Sequence, residues 1–525
     1  MKYLLAYDIG TTGVKTCLFE VDHSIRLAGC SSRSYPLYIL ADGGAEQDGD
    51  DWWNAMGEST KELLQTTGLA PEKIEGISFC SQMQGLVLTD EHGTPVHRPM
   101  SYMDQRAKEE IKKGIAHGVQ IAGANVFKLA KSLLITGAVS GSVKDPVWKY
   151  KWVEAHEPEN FRRAYRWLDV KDYLLHRCTG RFVMTEDSAF ATLLYDTRKG
   201  REGWSKTICD MLGVHMEHLP EIIRSTDLVG GLTKKAAEEL GLREGTGVYG
   251  GGGDSSLIGV GAGCVNVGDT HMYWGTSGWV ITVTDRQMVD VSAMIAAIVG
   301  AQSGRFNYFA EMETAGKCLE WAKNHLAQDE IDLYSTKTAG QNPFERLTEA
   351  AAQIPPGAGG VIFTPWLHGN RCPFEDPNAT GMFFGLNLET TKAEMVRAVL
   401  EGVCYHLRWM MESQDKKLKT SDPIRFVGGG ARSPIIAQML ADITGRRIET
   451  VESPQNVGSV GAAAVMAVGM GIIPSLESVQ DFIPVAHTYE PHTENRAAYD
   501  RCYAVFRKLY SSNRKNYRAL AQQGK

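Results

Sequence analysis

Tyr3-Leu-Leu-Ala-Tyr-Asp8-Ile-Gly10-Thr11-Thr12-Gly13-Val-Lys15-Thr-Cys-Leu-Phe19 opens the chain, and its reading decides the fold. An apolar run ends in one carboxylate, Asp8, and a Gly/Thr turn leads into a second apolar run. The pattern predicts a β-hairpin. The two glycines permit positive φ and close backbone approach, and Thr11 and Thr12 set hydroxyls beside the turn amides. Outward-facing amides and hydroxyls suit a polyphosphate, and a carboxylate at the strand end suits the Mg²⁺ that accompanies one. A plain hairpin of a large sheet fits this stretch equally well, so the rest of the chain must decide.

The pattern returns downstream. Gly275-Thr276-Ser277-Gly278-Trp279 lies between two apolar runs and repeats Gly10-Thr11-Thr12-Gly13-Val14. Two such turns imply an internal repeat: two domains of related topology, each offering a hairpin to a shared cleft. Between them, Val248-Tyr249 closes a strand onto Gly250-Gly-Gly-Gly253-Asp254. Four glycines let the backbone turn sharply and set the Asp254 carboxylate at a helix start. A helix N-cap is the plainer role for Asp254, and it does not exclude chemistry. Further on, Ile424-Arg-Phe-Val427 feeds Gly428-Gly429-Gly430-Ala431-Arg432, and Ser433-Pro434 then starts a helix that ends at Gly445. A triglycine between a strand and a helix N-terminus fits close approach by a nucleotide. Thr391-Lys-Ala-Glu394 is a capping box opening a long amphipathic helix. Gly458 to Ala464 opens a small-residue helix suited to close packing, and a polar, Tyr-rich helix from about Glu494 to Ala521 finishes the chain.

Polar residues gather in two further places. Ile74 to Thr89 reads as strand, turn, strand, with Ser81-Gln82-Met83-Gln84-Gly85 bunched at the turn and expected at a sheet edge. Asp104-Gln105-Arg106 closes a neighbouring segment and can offer acceptors and donors to hydroxyl groups, although a solvated loop is the plainer reading. The Asp run at 48–51 caps a helix in which Trp52 and Trp53 read as core anchors. Residues 145–161 read as helix, Trp167 to Leu175 as a strand entering a short helix, and Glu186-Asp187-Ser188 as a loop.

A chain of 525 residues has room for roughly two to four domains. With 43% apolar and 22% charged residues it has the composition of a globular protein. A net charge of −7 without a Lys/Arg block argues against a nucleic-acid partner. Ten scattered cysteines without a CxxC pair suit a reduced compartment, not a disulfide framework or a zinc site. The apolar run after Lys2 is too short for a leader, and no run reaches the length of a membrane span. A cytoplasmic enzyme without a membrane partner is expected. G-x-x-x-x-G-K-[ST], G-x-G-x-x-G opening a βαβ unit, H-E-x-x-H and G-x-S-x-G are all absent. Asp8 and Asp254 are the carboxylates joined directly to glycine turns at strand ends in the two halves. Metal, amide donors and a base for an attacking hydroxyl are the parts that phosphoryl transfer needs.

With those residues in place, the chain resembles the FGGY carbohydrate kinases of the actin/hexokinase/heat-shock-chaperone ATPase superfamily, over nearly its whole length. Gly381-Met-Phe-Phe-Gly385-Leu386, seven residues and Glu394-Met-Val-Arg-Ala398-Val-Leu-Glu401 fit the family's C-terminal signature at every position. Lys149-Tyr-Lys-Trp152-Val fits the core of the N-terminal signature, while Lys144 and Ala155 depart from it. Within the family the likeness is greatest to kinases of ketopentoses such as D-xylulose. It runs through Ala45-Glu-Gln-Asp48, Gln82-Met83, Lys149 to Pro158, Lys171-Asp172-Tyr173 and Asp376-Pro-Asn-Ala379.

The resemblance implies an α/β fold of two actin-like ATPase (ribonuclease H-like) domains flanking a central cleft. The first domain would span 1–249 and the second 250–485, with a helical extension over 486–525. It implies ATP and Mg²⁺ as cofactors and a small sugar as substrate; family members are often homodimers. Carried over, Asp254 is the catalytic base and also a substrate contact, and Asp8 holds Mg²⁺ through water. Gly10, Thr11, Thr12 and Lys15 line the first phosphate stretch, and Gly275 and Thr276 the second. Gly316 lies near the nucleotide, and Gly429, Gly430 and Ala431 form the adenosine loop. Gln82, Met83, Gln84, Asp104 and Arg106 hold the sugar. That group usually reads Q-M-H-G and W-N-D-x-R where this chain has Gln82-Met-Gln-Gly85 and Tyr102-Met-Asp-Gln-Arg106. Both departures lie at the sugar end, so ribulose, erythritol and glycerol stay open as alternatives. A chaperone- or actin-like ATPase would explain the paired turns but not the signature or the polar clusters. A silent sugar sensor is opposed by intact Asp8 and Asp254.

Overall fold

The computed structural model describes residues 1–121, 124–326 and 342–522. Strands β1 (Lys2–Ile9), β2 (Gly13–Val21) and β3 (Ile25–Ser34) form an antiparallel meander, and helix α1 (Gly49–Thr67) leads to β4 (Ile74–Ser81). The chain then builds a lateral region from β5 (Val87–Thr89), α2 (Pro146–His156) and β6 (Arg166–Leu168), and continues through α3 (Val170–Thr179), which packs in one cluster with the first sheet, and α4 (Glu186–Ala191). It returns to the first sheet through β7 (Leu228–Gly231), β8 (Gly247–Tyr249) and β9 (Gly252–Gly253), and α5 (Asp254–Gly261) follows directly.

The second half repeats this plan. Its sheet contains β10 (Thr270–Trp274), β11 (Gly278–Thr284), β12 (Val289–Asp290), β13 (Ile295–Val299) and β14 (Phe306–Met312). After α6 (Gly316–His325) and α7 (Lys392–Asp415) come β15 (Ile424–Val427), α8 (Pro434–Thr444), β16 (Ile448–Val451), α9 (Val457–Gly469), β17 (Val485–Tyr489) and α10 (Arg496–Gln522). The first sheet runs β3-β2-β1-β4-β8-β7 and the second β12-β13-β14-β11-β10-β15-β16-β17, whose last six strands correspond to those of the first. The strand senses match pair by pair: the meanders are antiparallel. The next two pairings are parallel in each sheet, and the last is antiparallel. The repeat read from two four-residue turns therefore extends over six strands.

Apolar alternation explains how the layers stack. One face of β1 and β2 places Leu5, Ile9 and Leu18 against α1, where Trp52 and Trp53 are buried in the same cluster. The other face presents Leu4, Ala6, Cys17 and Phe19 to α5 and α9, whose far side meets Trp279, Ile281 and Val427 of the second sheet. The two helices thus lie between the sheets. Their contact depends on missing side chains: a Cβ on Gly261 would sit 1.9 Å from the Val457 carbonyl oxygen, and one on Gly461 would sit 2.1 Å from that of Leu257. At the far end α7 and α10 close a third cluster, with Tyr499, Tyr503, Phe506, Leu509 and Tyr517 all buried. Each large apolar side chain buried in this way contributes roughly 1.5–3 kcal/mol.

Three expectations change. β4 is an interior strand, flanked by β1 on one side and by β8 and β9 on the other, so the 81–85 turn is not at a lateral edge. That turn leads to β5, which pairs with β6 in a separate small sheet. Residues 186–188 open α4, not a loop, and helix 145–161 breaks at Glu157, before a short helix over Pro158–Arg162. Among the described residues no helix is long and apolar enough to cross a membrane.

Candidate active site

The functional loops gather at the carboxyl ends of the parallel strands, where open α/β sheets hold ligands. After β1, the Gly10 amide closes the hairpin on the Gly13 carbonyl at 2.9 Å. The turn's other carbonyls are occupied: Tyr35 Oη donates to Gly10 O at 2.6 Å and Gln47 Nε2 to Thr11 O at 2.7 Å. Gln82 Nε2 in turn donates to Gln47 Oε1 at 2.9 Å. The Gln82 Oε1 atom is buried and has no hydrogen-bond partner among the described residues, which leaves an acceptor for a hydroxyl. Asp8 pairs with Lys15 across the hairpin. Burial pushes the Asp8 carboxyl up, opposed by the Lys15 ammonium and a Cys80 hydrogen bond. Lys15 Nζ also donates to Gln455 O at 3.0 Å, and the Gly428 amide donates to Pro454 O at 2.9 Å. One dipeptide therefore joins the first hairpin to the triglycine loop.

In the second half the hairpin carbonyls are again occupied. Gly316 N donates to Gly275 O at 2.8 Å, and Ala315 N donates to Thr276 O at 3.0 Å. A Cβ on Gly316 would lie 2.5 Å from Gly275 O, so this packing requires glycine. Gly429–Arg432 make one turn of 3₁₀ helix beside Trp274, with Ala431 buried.

Asp254 follows β9, whose Gly252 and Gly253 pair with Cys80 and Ser81 of β4. This register sets the carboxylate next to the 82–84 loop. Gly253, not Asp254, is the helix cap, and Asp254 is the first helical residue. Asp187 accepts from Gly253 N at 2.8 Å and from Thr185 Oγ1 at 2.5 Å, fixing the approach to Asp254 from below. Ser255 Oγ donates to Met83 Sδ at 3.2 Å, so Met83 packs on the backbone beside Asp254. Burial pushes the Asp254 carboxyl up to about 7; the Ser255 amide opposes this, while Asp8, Glu311 and Asp169 add to it.

The loop after β4 is clamped from both sides. Gln84 adopts φ +63°, the left-handed region that a non-glycine residue rarely occupies. Asp169 accepts from Gln84 N at 2.9 Å and Gly85 N at 3.0 Å, and Lys149 Nζ donates to Gln84 O at 2.6 Å. Lys149 is fully buried. Burial lowers its ammonium to about 8, against the pull of Asp104, Asp169 and Asp145. Burial, with Asp172 nearby, raises Asp169 to about 7. Asp104 is fully buried too. It accepts from Ala45 N at 2.8 Å and from Arg106 Nη2 at 2.8 Å, while Arg106 pairs with Glu46 at 2.8 Å. The guanidinium lies 4.4 Å from the centre of the Trp152 ring. These residues form an inner support behind Gln47, so the solvated-loop reading is set aside.

Sequence reasoning missed Tyr35, Gln47, Asp169, Asp187 and Gln455 as parts of the site. Asp169 falls in the stretch read as a strand entering a helix and Asp187 in one read as a loop, and only the fold brings them under Gln84 and Gly253. Among the described residues no group of three His, Cys, Asp or Glu side chains could hold a metal by itself. A separate cleft of about 630 Å³, with Arg98, Tyr173, Arg177 and Glu239 in its wall, contains none of the predicted site residues.

Two sheets of matched topology, each carrying a Gly/Thr hairpin between its central strands, make up the actin-like ATPase, ribonuclease H-like fold of two-domain kinases. The family model "FGGY family of carbohydrate kinases, N-terminal domain" matches residues 3–261, and its C-terminal counterpart matches residues 271–470. The chain belongs to the FGGY family of carbohydrate kinases, enzymes that use ATP to phosphorylate sugars. It is 30% identical to the xylulose kinase of Bacillus subtilis over 514 residues, covering 97% of each chain. Its fold superposes on a ligand-bound xylulose kinase from Lactobacillus acidophilus with a TM-score of 0.84 at 24% identity, covering 99% of this chain and 100% of the other. A gluconate kinase from the same organism superposes with a TM-score of 0.83 at 24% identity, covering 99% of each.

Proposed function

We propose that this kinase transfers the γ-phosphoryl group of ATP to a hydroxyl of a ketopentose, D-xylulose first, with Asp254 as the base. The observation that carries the reading is the place of Asp254: a carboxylate raised to about 7, at the start of α5 just past β9 and beside the 82–84 loop. A base whose pKa lies near the working pH combines a useful ionised fraction with enough basicity to accept a proton. Asp254 accepts the hydroxyl proton as the phosphoryl group leaves ATP. The free Gln82 Oε1 accepts from a second sugar hydroxyl, and Gln84 and Met83 shape the same wall. Asp104 and Arg106 hold the backbone at Ala45 and the Glu46 side chain, next to Gln47, and so act on the sugar through Gln47 and Gln82. Amides and hydroxyls at Gly10, Thr11 and Thr12, and at Gly275 and Thr276, face the phosphates, with Lys15 between the halves. The strand-end carboxylate of Asp8 fits Mg²⁺, which is commonly held by one or two carboxylates together with substrate phosphates. Mg²⁺ would supply charge neutralisation on those phosphates. Gly316 and the Gly429-Gly430-Ala431 turn border the nucleoside.

The test is a coupled ADP-release screen over D-xylulose, other ketopentoses, other ketoses, gluconate, polyols and glycerol. The highest kcat/KM is expected with D-xylulose. A higher value with gluconate or glycerol would move the substrate assignment, and no sugar-dependent ADP release at all would overturn the reading.

A further inference from the structure

Cys17 and Cys30 face each other directly across β2 and β3, and their sulfurs are 3.5 Å apart. Both are free thiols; Cys17 is buried and Cys30 exposed. Residues directly opposite on antiparallel strands have Cα atoms about 4.5–5.5 Å apart, inside the range that a disulfide spans. Closing the bond therefore needs side-chain rotation and no movement of the strands. The other eight cysteines of the chain differ in surroundings: Cys80, Cys178, Cys209, Cys264, Cys318, Cys372 and Cys404 are buried, and Cys502 is half-buried. Burial pushes their thiols up. Cys30 alone is lowered, to about 7, by the hydrogen bond from Cys17 and by the Lys15 ammonium, against partial desolvation and the Asp8 carboxylate. Cys17 is correspondingly raised by serving as the donor and by burial. An exposed, acidified thiol beside a second thiol is the arrangement that oxidant-sensitive cysteines share.

We propose that Cys17 and Cys30 form a modification site, a dithiol that a hydroperoxide converts to a cross-strand disulfide. In the first step the Cys30 thiolate attacks the peroxide oxygen. The O–O bond breaks, Cys30 becomes a sulfenic acid, and the peroxide is reduced to an alcohol or, from hydrogen peroxide, to water. In the second step the Cys17 sulfur attacks the Cys30 sulfur. The S–S bond forms, the S–O bond breaks, and the Cys17 proton leaves with the hydroxide as water. A small thiol or dithiol reverses the change by exchange. The site lies on the strand that carries Lys15, two residues before Cys17, so the modification ties the first phosphate hairpin's second strand to β3.

The test uses the full-length protein and hydrogen peroxide. Trypsin separates Thr16–Arg26 from Leu27–Arg33, and each peptide carries one cysteine. After brief oxidation and alkylation of the remaining thiols, the expected product is the two peptides linked, lighter than their sum by two hydrogen atoms and lost on treatment with dithiothreitol. Cys17→Ser should give no link and a Cys30 sulfenic acid trapped by dimedone; Cys30→Ser should leave Cys17 reduced. Cys30 oxidised in the wild type while Cys17 stays reduced would overturn the proposal. So would a linked peptide joining Cys30 to any other cysteine, or a Cys30 that stays reduced in both wild type and Cys17→Ser.

Discussion

Asp254 is held where ionisation is unfavourable, and that has a measurable consequence. Its carboxyl is raised from 3.8 to about 7 in the fold, so the folded state binds the proton more tightly than the unfolded chain. The destabilisation is absent below about pH 4, grows as pH rises towards 7, and is complete above it. Asp254→Asn, neutral throughout, should therefore raise the unfolding temperature of the ligand-free protein more at pH 8 than at pH 5. Calorimetric scans at the two values check this, and equal shifts would contradict it. Lys149 gives a second expectation. It is a buried ammonium whose hydrogen bond to Gln84 O holds a left-handed residue in place. Losing a hydrogen bond from a charged group costs about 1.5–3 kcal/mol. Lys149→Met should raise the KM for sugar roughly 10–100-fold at that energy, with the KM for ATP little changed. Initial-rate kinetics in both substrates separate the two.

At the scale of elements, the second hairpin and the start of α6 are one unit, because Gly316 seats its amide on Gly275 O. Backbone meets backbone there, and neither side can yield as a flexible side chain would. Gly316→Ala should displace the Gly275–Thr276 turn and raise the KM for ATP by roughly ten- to a hundredfold, since small displacements of positioning groups have effects of that order. The sugar KM should hold. An unchanged ATP KM would detach this turn from the nucleotide. Elements are also where sequence reading succeeded and failed. The hairpins, the Asp254 helix and the Thr391 capping box were legible because each is specified by residues within a few positions of one another. The lateral position of the 81–85 turn was not legible because an apolar run states that its strand, β4, is buried without naming its neighbours. Asp169 and Asp187 were illegible for a related reason: each reaches its partner amide across 85 and 66 residues respectively, a separation that only the folded topology closes.

At the scale of the molecule, two sheets of one topology face each other with α5 and α9 between them. The first supplies Asp8, the 82–84 loop and, through β9, the approach to Asp254; the second supplies the other hairpin and the triglycine turn. Lys15 bridges the two by reaching Gln455. With the nucleotide held by both halves and the sugar by one, as proposed, closure of the cleft would be the step that excludes water and limits idle ATP hydrolysis. Sugar-dependent turnover is therefore what the proposed function predicts. The most direct measurement is ADP release with and without D-xylulose, on the wild type and on Asp254→Asn, with ATP and sugar binding followed by calorimetry on the same samples. Wild-type release should depend on the sugar, and Asp254→Asn should bind both ligands yet turn over about 10²–10⁴-fold more slowly; near-full turnover by Asp254→Asn would contradict the role given to Asp254.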